Sequence, residues 1–216
     1  MEQASAQKAD ILFFPEMSFT GFSMNLAKIG ESGEASDTVR QMKELAARYK
    51  MAVGFGWAAL PEPGQEKGTN RFTLLDKDGQ ELTEYVKLHP FRYGGEADVY
   101  QGGDQLVTVP FCGHRISLFV CYDLRFPEIF QAVSDQSDLM VVIADWPASR
   151  ADHWLALLKA RAIENQSYMA GVNCVGDIDG LSYSGDSSIF DPLGQMIGTL
   201  HGQEGIVVCD IGEDAE

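Results

Sequence analysis

The sequence predicts an α/β layer structure with mixed rather than purely parallel sheets. Three observations carry this. Short apolar runs alternate with amphipathic segments along most of the chain, the pattern of strands and helices stacked in layers. Two runs of the form acid-x-x-Gly, Asp76-Lys77-Asp78-Gly79 and Asp191-Pro192-Leu193-Gly194, separate neighbouring apolar runs as hairpin connections do. The 216 residues are 45% hydrophobic and 22% charged, which is enough apolar content to offset chain entropy and a length that fits one domain.

Taken in order, residues 11–14 read as the first strand. A helix over 38–50 follows, because Val39, Met42, Leu45, Ala46 and Tyr49 share one face, Ser36 or Asp37 can cap its start, and Arg48 and Lys50 suit its end. Strands are expected over 52–57, 72–75 and 82–86, then an irregular, glycine-bearing stretch over 88–104 of the kind that carries site residues. Further strands are expected over 106–109, 116–120 and 139–144. Between the last two, Pro127 occupies a first helical position. A third helix over 152–165 groups Trp154, Leu157, Leu158 and Arg161, and strands over 168–172, 187–190, 195–200 and 206–209 complete the chain. No internal repeat, linker or low-complexity run interrupts it.

Thirty-two acidic residues against 16 basic ones give a net charge of −16, a field that repels phosphate backbones and argues against nucleic-acid and anionic-membrane partners. The longest apolar stretch, Leu139–Ala144, is far short of the ~20 residues of a membrane span. The opening MEQASAQKAD lacks a signal-peptide core, so the expected compartment is the cytoplasm. Cys112, Cys121, Cys174 and Cys209 are widely spaced and read as reduced thiols.

Three strand ends carry candidate chemistry. Cys121 stands where an apolar strand meets a Pro-initiated helix, an elbow that exposes a side chain and aims backbone N–H groups at one point; the bland alternative is a small buried hydrophobe. Glu16 ends an apolar run, where desolvation suits a general base, although taken alone a solvated strand end is the simpler reading. Lys87 also closes a strand; beside a reacting carbonyl it would stabilise negative charge, and elsewhere it would be an ordinary surface lysine. Other matches fail. Gly54-Phe55-Gly56 is followed by prolines where a nucleotide-binding helix would start, and Asp177-Ile178-Asp179-Gly180 places Leu181 where a calcium ligand is needed. The four histidines are scattered without metal-ligand spacing, and no Gly-x-Ser-x-Gly occurs. Spacing alone leaves a papain-like Cys–His pair open, though no local signature supports one.

Taken together, Glu16, Lys87 and Cys121 resemble the Glu–Lys–Cys triad of the nitrilase, or carbon–nitrogen hydrolase, superfamily. Leu12-Phe13-Phe14-Pro15-Glu16-Met17 resembles its glutamate motif, Val86-Lys87-Leu88-His89 its lysine motif, and Val120-Cys121-Tyr122-Asp123-Leu124-Arg125-Phe126-Pro127-Glu128 its cysteine elbow. Glu96 aligns with a second glutamate that supports the site, and its loop setting argues against a core role. The segments around Trp146, His153-Trp154, Arg161 and Tyr183 also resemble family blocks. The stretch from Pro15 to Met24 and the Trp146 and His153-Trp154 blocks are most similar to the ω-amidase branch, which releases ammonia from 2-oxoglutaramate and 2-oxosuccinamate.

The resemblance implies a four-layer α-β-β-α sandwich spanning residues 1–216, paired into homodimers or larger homo-oligomers. It also implies a cysteine amidase without metal or organic cofactor, acting on a small carboxylate-bearing amide. The Tyr122 backbone N–H would join Lys87 at the oxyanion, and Trp146 would bind substrate. Neighbouring readings are an amidase for N-carbamoyl amino acids or deaminated glutathione, or a non-catalytic binding module of the same fold. Family members have a strand and helix before the glutamate strand and a C-terminal tail, so the chain is expected to be incomplete at both ends. Residues 11–14 would then form an apolar sheet edge that favours aggregation.

Overall fold

A computed structural model of the protein describes residues 1–212. The chain forms two compact units, Met1–Gln105 and Leu106–Glu216, each with its own sheet and helical layer.

The first unit contains α1 (Glu2–Ala6), β1 (Ile11–Phe13), α2 (Leu26–Ile29), α3 (Asp37–Tyr49), β2 (Ala52–Ala59), β3 (Thr69–Leu75), β4 (Glu81–Val86) and α4 (Glu96–Val99). Its sheet runs β1-β2-β3-β4, with β1 parallel to β2 and the other pairs antiparallel. Every residue of β2 is buried, which is why its sequence is a continuous small and apolar run rather than an alternating one. On α3 the expected face is the packed one. Met42 and Ala46 lie against Val53, Phe55, Trp57 and Leu75, with Val39 and Leu45 at the margin. Ser36 caps the helix by accepting the Val39 N–H. The β3–β4 turn is closed by Asp76, whose Oδ1 accepts the N–H groups of Asp78 and Gln80, both at 2.8 Å.

The second unit contains β5 (Thr108–Phe111), β6 (His114–Val120), α5 (Pro127–Gln131), β7 (Leu139–Ala144), α6 (Ala151–Asn165), β8 (Tyr168–Asn173), β9 (Val175–Ile178), β10 (Leu181–Phe190) and β11 (Met196–His201). Its sheet runs β11-β10-β8-β7-β6-β5, and β9 pairs with β10 outside that path. β6, β7 and β8 are parallel and joined through α5 and α6, as parallel neighbours require; the remaining pairs are antiparallel. Trp154 and Leu158 of α6 press on β8 at Gly171, where an added Cβ would meet Leu158 at 2.4 Å and Trp154 at 2.6 Å. Asp191 closes the β10–β11 turn as Asp76 does the other, accepting from Leu193 and Gln195.

Two sequence expectations are corrected. Residues 206–209 form no strand. Instead Val207 and Cys209 lie over Gly198 on β11, and the Cys209 thiol reaches the Ile197 carbonyl at 3.5 Å, so side-chain packing rather than a ladder holds the segment. Conversely, β9 and the first half of β10 form a hairpin that the apolar pattern does not show, because its residues are largely exposed and its turn is the Asp179-Gly180 pair in left-handed backbone.

Candidate active site

Glu16 is placed by a turn that follows β1. Met17 takes a left-handed φ of 42°, and the turn is tied to β2 by the Ser18 N–H on the Gly56 carbonyl at 2.9 Å. Gly56 makes this approach possible. A Cβ there would lie 2.6 Å from the Met17 nitrogen and 2.8 Å from Glu16 Cα. Gly54 likewise admits the Phe13 ring, at 2.5 Å from a Cβ position. The Gly-x-Gly pair on β2 is thus a seat for the glutamate strand. Lys87 leaves β4 with its N–H on the Asn70 carbonyl at 2.9 Å and its own carbonyl accepting from Gly103 at 2.9 Å.

These elements converge on a buried ionic cluster. Glu16 and Lys87 are each 1% exposed and Glu96 is 0% exposed. The Lys87 ammonium donates to Glu16 Oε1 at 2.9 Å, and to Glu96 Oε1 at 3.0 Å and Oε2 at 2.9 Å. Glu96 also accepts the Phe91 N–H at 2.5 Å, and Asn70 Nδ2 donates to Glu16 Oε1 at 2.6 Å and Glu96 Oε1 at 3.0 Å. One ammonium against two carboxylates leaves the group one charge negative, and the amide and peptide N–H dipoles offset part of it. The surroundings are apolar: the Phe22 ring centroid is 5.5 Å from Nζ, and Met17, Ile29, Ala58 and Tyr100 pack together beside the glutamate turn. Tyr100 registers this field. Burial first, then Glu96 and Glu16, push its phenol above the ordinary value, with Lys87 opposing. Glu96 is therefore a core residue despite its loop setting, which corrects the sequence expectation. Four donor contacts from Lys87, Asn70 and Phe91 hold it as an anchor for Lys87.

In the second unit, β6 ends at Val120 and Cys121 turns the chain with a left-handed φ of 47°. A non-glycine residue in that region stores strain, on the order of 1–3 kcal/mol, and such positions cluster at reactive sites. Buried Asp123 staples the elbow by accepting the Val120 N–H at 3.0 Å. The 3-10 turn Cys121–Arg125 opens here, so the Tyr122 N–H is among its leading backbone groups. Four residues after Cys121, the Arg125 guanidinium lies 4.7 Å from the Trp146 ring centroid and 6.0 Å from that of Tyr122, with His153 Nδ1 at 3.3 Å. No carboxylate pairs with it among the described residues. Burial and then the neighbouring Arg150 press its ordinarily high pKa down. Trp146 is held rigidly: its N–H donates to Asn173 Oδ1 at 2.7 Å, its indole N–H to the Arg150 carbonyl at 2.8 Å, and its ring packs on Trp154.

Of the expected site residues, Glu16, Lys87 and Glu96 thus meet within the first unit, while Cys121, Tyr122 and Trp146 belong to the second, where Arg125 spans Tyr122 and Trp146. Asn70, Asp123 and Arg125 were not singled out from sequence. A signal for Asn70 existed, since it is the polar residue that shares its face of β3 with Phe72 and Leu74. Among the described residues no group of three His, Cys, Asp or Glu is arranged to hold a metal ion, and no helix is long and apolar enough to cross a membrane.

A family model described as carbon-nitrogen hydrolase matches residues 1–215. The chain is 42% identical over 193 residues to the omega-amidase YafV of Yersinia enterocolitica, covering 89% of this chain and 73% of that protein. It is 32% identical over 219 residues to a 2-oxoglutaramate amidase of Bacillus subtilis, covering 99% and 83% respectively. Among solved structures, an amidase from Nesterenkonia sp. carrying acrylamide on its active-site cysteine superposes with a TM-score of 0.89 at 27% identity, covering 98% of this chain and 84% of that one. The match in sequence and in fold across both units shows that this chain belongs to the carbon-nitrogen hydrolase family.

Proposed function

We propose that the protein hydrolyses the terminal amide of a short carboxylate-bearing ω-amide such as 2-oxoglutaramate, releasing ammonia through a thioester on Cys121. The buried Glu16–Lys87–Glu96 cluster carries this reading: burying three charges is costly for stability alone and suits a site that must move a proton and hold negative charge. The strained Cys121 elbow and the two amidase relatives support it.

In this mechanism Glu16 takes the Cys121 thiol proton as sulfur attacks the amide carbon. The carbonyl π pair moves to oxygen, and the oxyanion is held by Lys87 and the Tyr122 backbone N–H, where one such donor is worth about 2.7–4 kcal/mol in comparable acyl transfers. Protonated Glu16 returns the proton to nitrogen, the C–N bond breaks and ammonia leaves. Glu16 then removes a proton from water, whose oxygen attacks the thioester; the C–S bond breaks and the thiol is regenerated. Glu96 keeps Lys87 in place. Arg125, half-buried and with no carboxylate paired to it among the described residues, receives the substrate's acid group against the flat wall of Trp146. We further propose that residues 1–216 act as one catalytic domain, in a cytoplasmic homodimer or larger homo-oligomer.

A coupled ammonia assay tests this on 2-oxoglutaramate, 2-oxosuccinamate, an N-carbamoyl amino acid, deaminated glutathione and an aliphatic nitrile. The keto-amides should turn over fastest, Cys121→Ala should be inert, and acid-quenched wild type should show an acyl mass adduct. Faster turnover of the carbamoyl or glutathione compound would reassign the substrate, and ordinary turnover by Cys121→Ala would refute the chemistry.

A further inference from the structure

The Asn70 amide, 1% exposed on β3, donates to both carboxylates of the cluster through one nitrogen, while its Oδ1 has no donor among the described residues. Its orientation is dictated by its neighbours, because the reverse would set a carbonyl oxygen against two carboxylate oxygens. A buried carbonyl oxygen without a donor is unfavourable for the fold taken by itself. What the placement achieves is at Glu16. Oε1 of that carboxylate accepts two N–H donors, from Asn70 at 2.6 Å and Lys87 at 2.9 Å. A carboxylate oxygen has two lone-pair sites, and here both face hydrogen. A proton placed on Oε1 would have to displace an ammonium or an amide hydrogen.

We infer that Asn70 is a positioning residue that, together with Lys87, pins Oε1 of Glu16 and so fixes the orientation in which this carboxylate takes and returns the catalytic proton. An ammonium alone attracts either oxygen equally, since it is a compact charge on a flexible stem. The second donor, fixed on a strand, breaks that equivalence and stops the carboxylate rotating. The proton leaves the Cys121 sulfur, arrives on the Glu16 carboxylate and departs from it to the leaving nitrogen. Asn70 gains and loses none. The same amide nitrogen ties Glu96 to this arrangement, so the base and the lysine anchor are registered against one strand residue.

This inference rests on the proposed role of Glu16 as base, and the test separates the two. Asn70→Ala and Asn70→Asp are compared with wild type, Glu16→Gln and Cys121→Ala by kcat, KM and pH profile on the best amide of the panel, with thermal melting alongside. Asn70→Ala should lose about 100-fold in kcat, the scale of a ~1 Å misplacement, with KM little changed. The acid limb of its kcat/KM profile should move to higher pH, because a carboxylate that loses a donor holds its proton more tightly. Asn70→Asp should regain turnover toward low pH, where a protonated carboxyl can donate in place of the amide. Wild-type kcat in Asn70→Ala, or activity lost only in proportion to folded protein with an unmoved pH profile, would overturn the inference. If Glu16→Gln or Cys121→Ala turns over normally, the underlying chemistry fails instead.

Discussion

Replacing Lys87 with methionine keeps a long, unbranched side chain and removes the single positive charge from the buried cluster. In wild type, Nζ lies 2.9 Å from both Glu16 and Glu96, whose side chains are fully buried. Removing one partner of a buried pair costs about 3–5 kcal/mol, because the other charge is left uncompensated. Here one cation serves two carboxylates, so the loss falls near the upper end, about 5 kcal/mol. For a chain of this length each kcal/mol moves the melting point by about 2–4 °C, so Lys87→Met should melt about 10–20 °C below wild type. Differential scanning calorimetry reads this directly. The double variant Lys87→Met/Glu96→Gln, which removes one stranded charge as well, should melt above the single variant. Turnover should fall by about 100- to 1000-fold through loss of an oxyanion donor. A melting point within about 3 °C of wild type would refute the view that the cluster depends on this ammonium.

Three further outcomes are expected. Gly56→Ala puts a Cβ 2.6 Å from the Met17 nitrogen, so it should cost about 1–3 kcal/mol in urea unfolding and more than tenfold in kcat, whereas Gly54→Ala meets the Phe13 and Phe72 rings and should affect stability alone. Arg125→Gln should raise KM about 10- to 150-fold for carboxylate-bearing amides, matching a charged hydrogen bond of about 1.5–3 kcal/mol, and leave a neutral aliphatic amide unchanged in steady-state kinetics. Tyr100 has its phenol pKa raised in the folded state; its contribution is whole below the unfolded value of 10.0 and is lost as pH rises through the folded value. Denaturation above about pH 10 should therefore show falling stability, with a shallower slope in Tyr100→Phe.

Local signals were legible where one residue type performs one geometric task. Asp76 and Asp191 close their turns, Ser36 caps α3 and Pro127 opens α5, each through a bond or a fixed φ that needs no distant partner. The limits appear where tertiary contacts decide. Residues 206–209 have the composition of a strand, but whether a ladder forms depends on what lies beside them. Val175–Ile178 has a weak apolar pattern yet pairs with β10, because pairing there follows from the turn at Asp179-Gly180. Glu16, Lys87 and Cys121 stood out through motif order. Glu96 stands out through the resemblance as a site residue, but its loop setting gives no sign of the four donor contacts that place it in the core, and the role of Asn70 exists only once two carboxylates reach its amide. Arg125 is visible as part of the elbow motif, but that no carboxylate pairs with it among the described residues shows only in the folded chain.

The left-handed backbone at Cys121 carries a consequence for improving this protein. Glycine is the residue that relaxes at φ 47°, so Cys121→Gly should rank among the more stabilising single changes available near the elbow, while removing the sulfur on which turnover depends. Selection for heat resistance alone would therefore drift toward an inert protein. A useful screen has to score ammonia release in the same well as survival, so that the strain at this one position is retained for its chemistry.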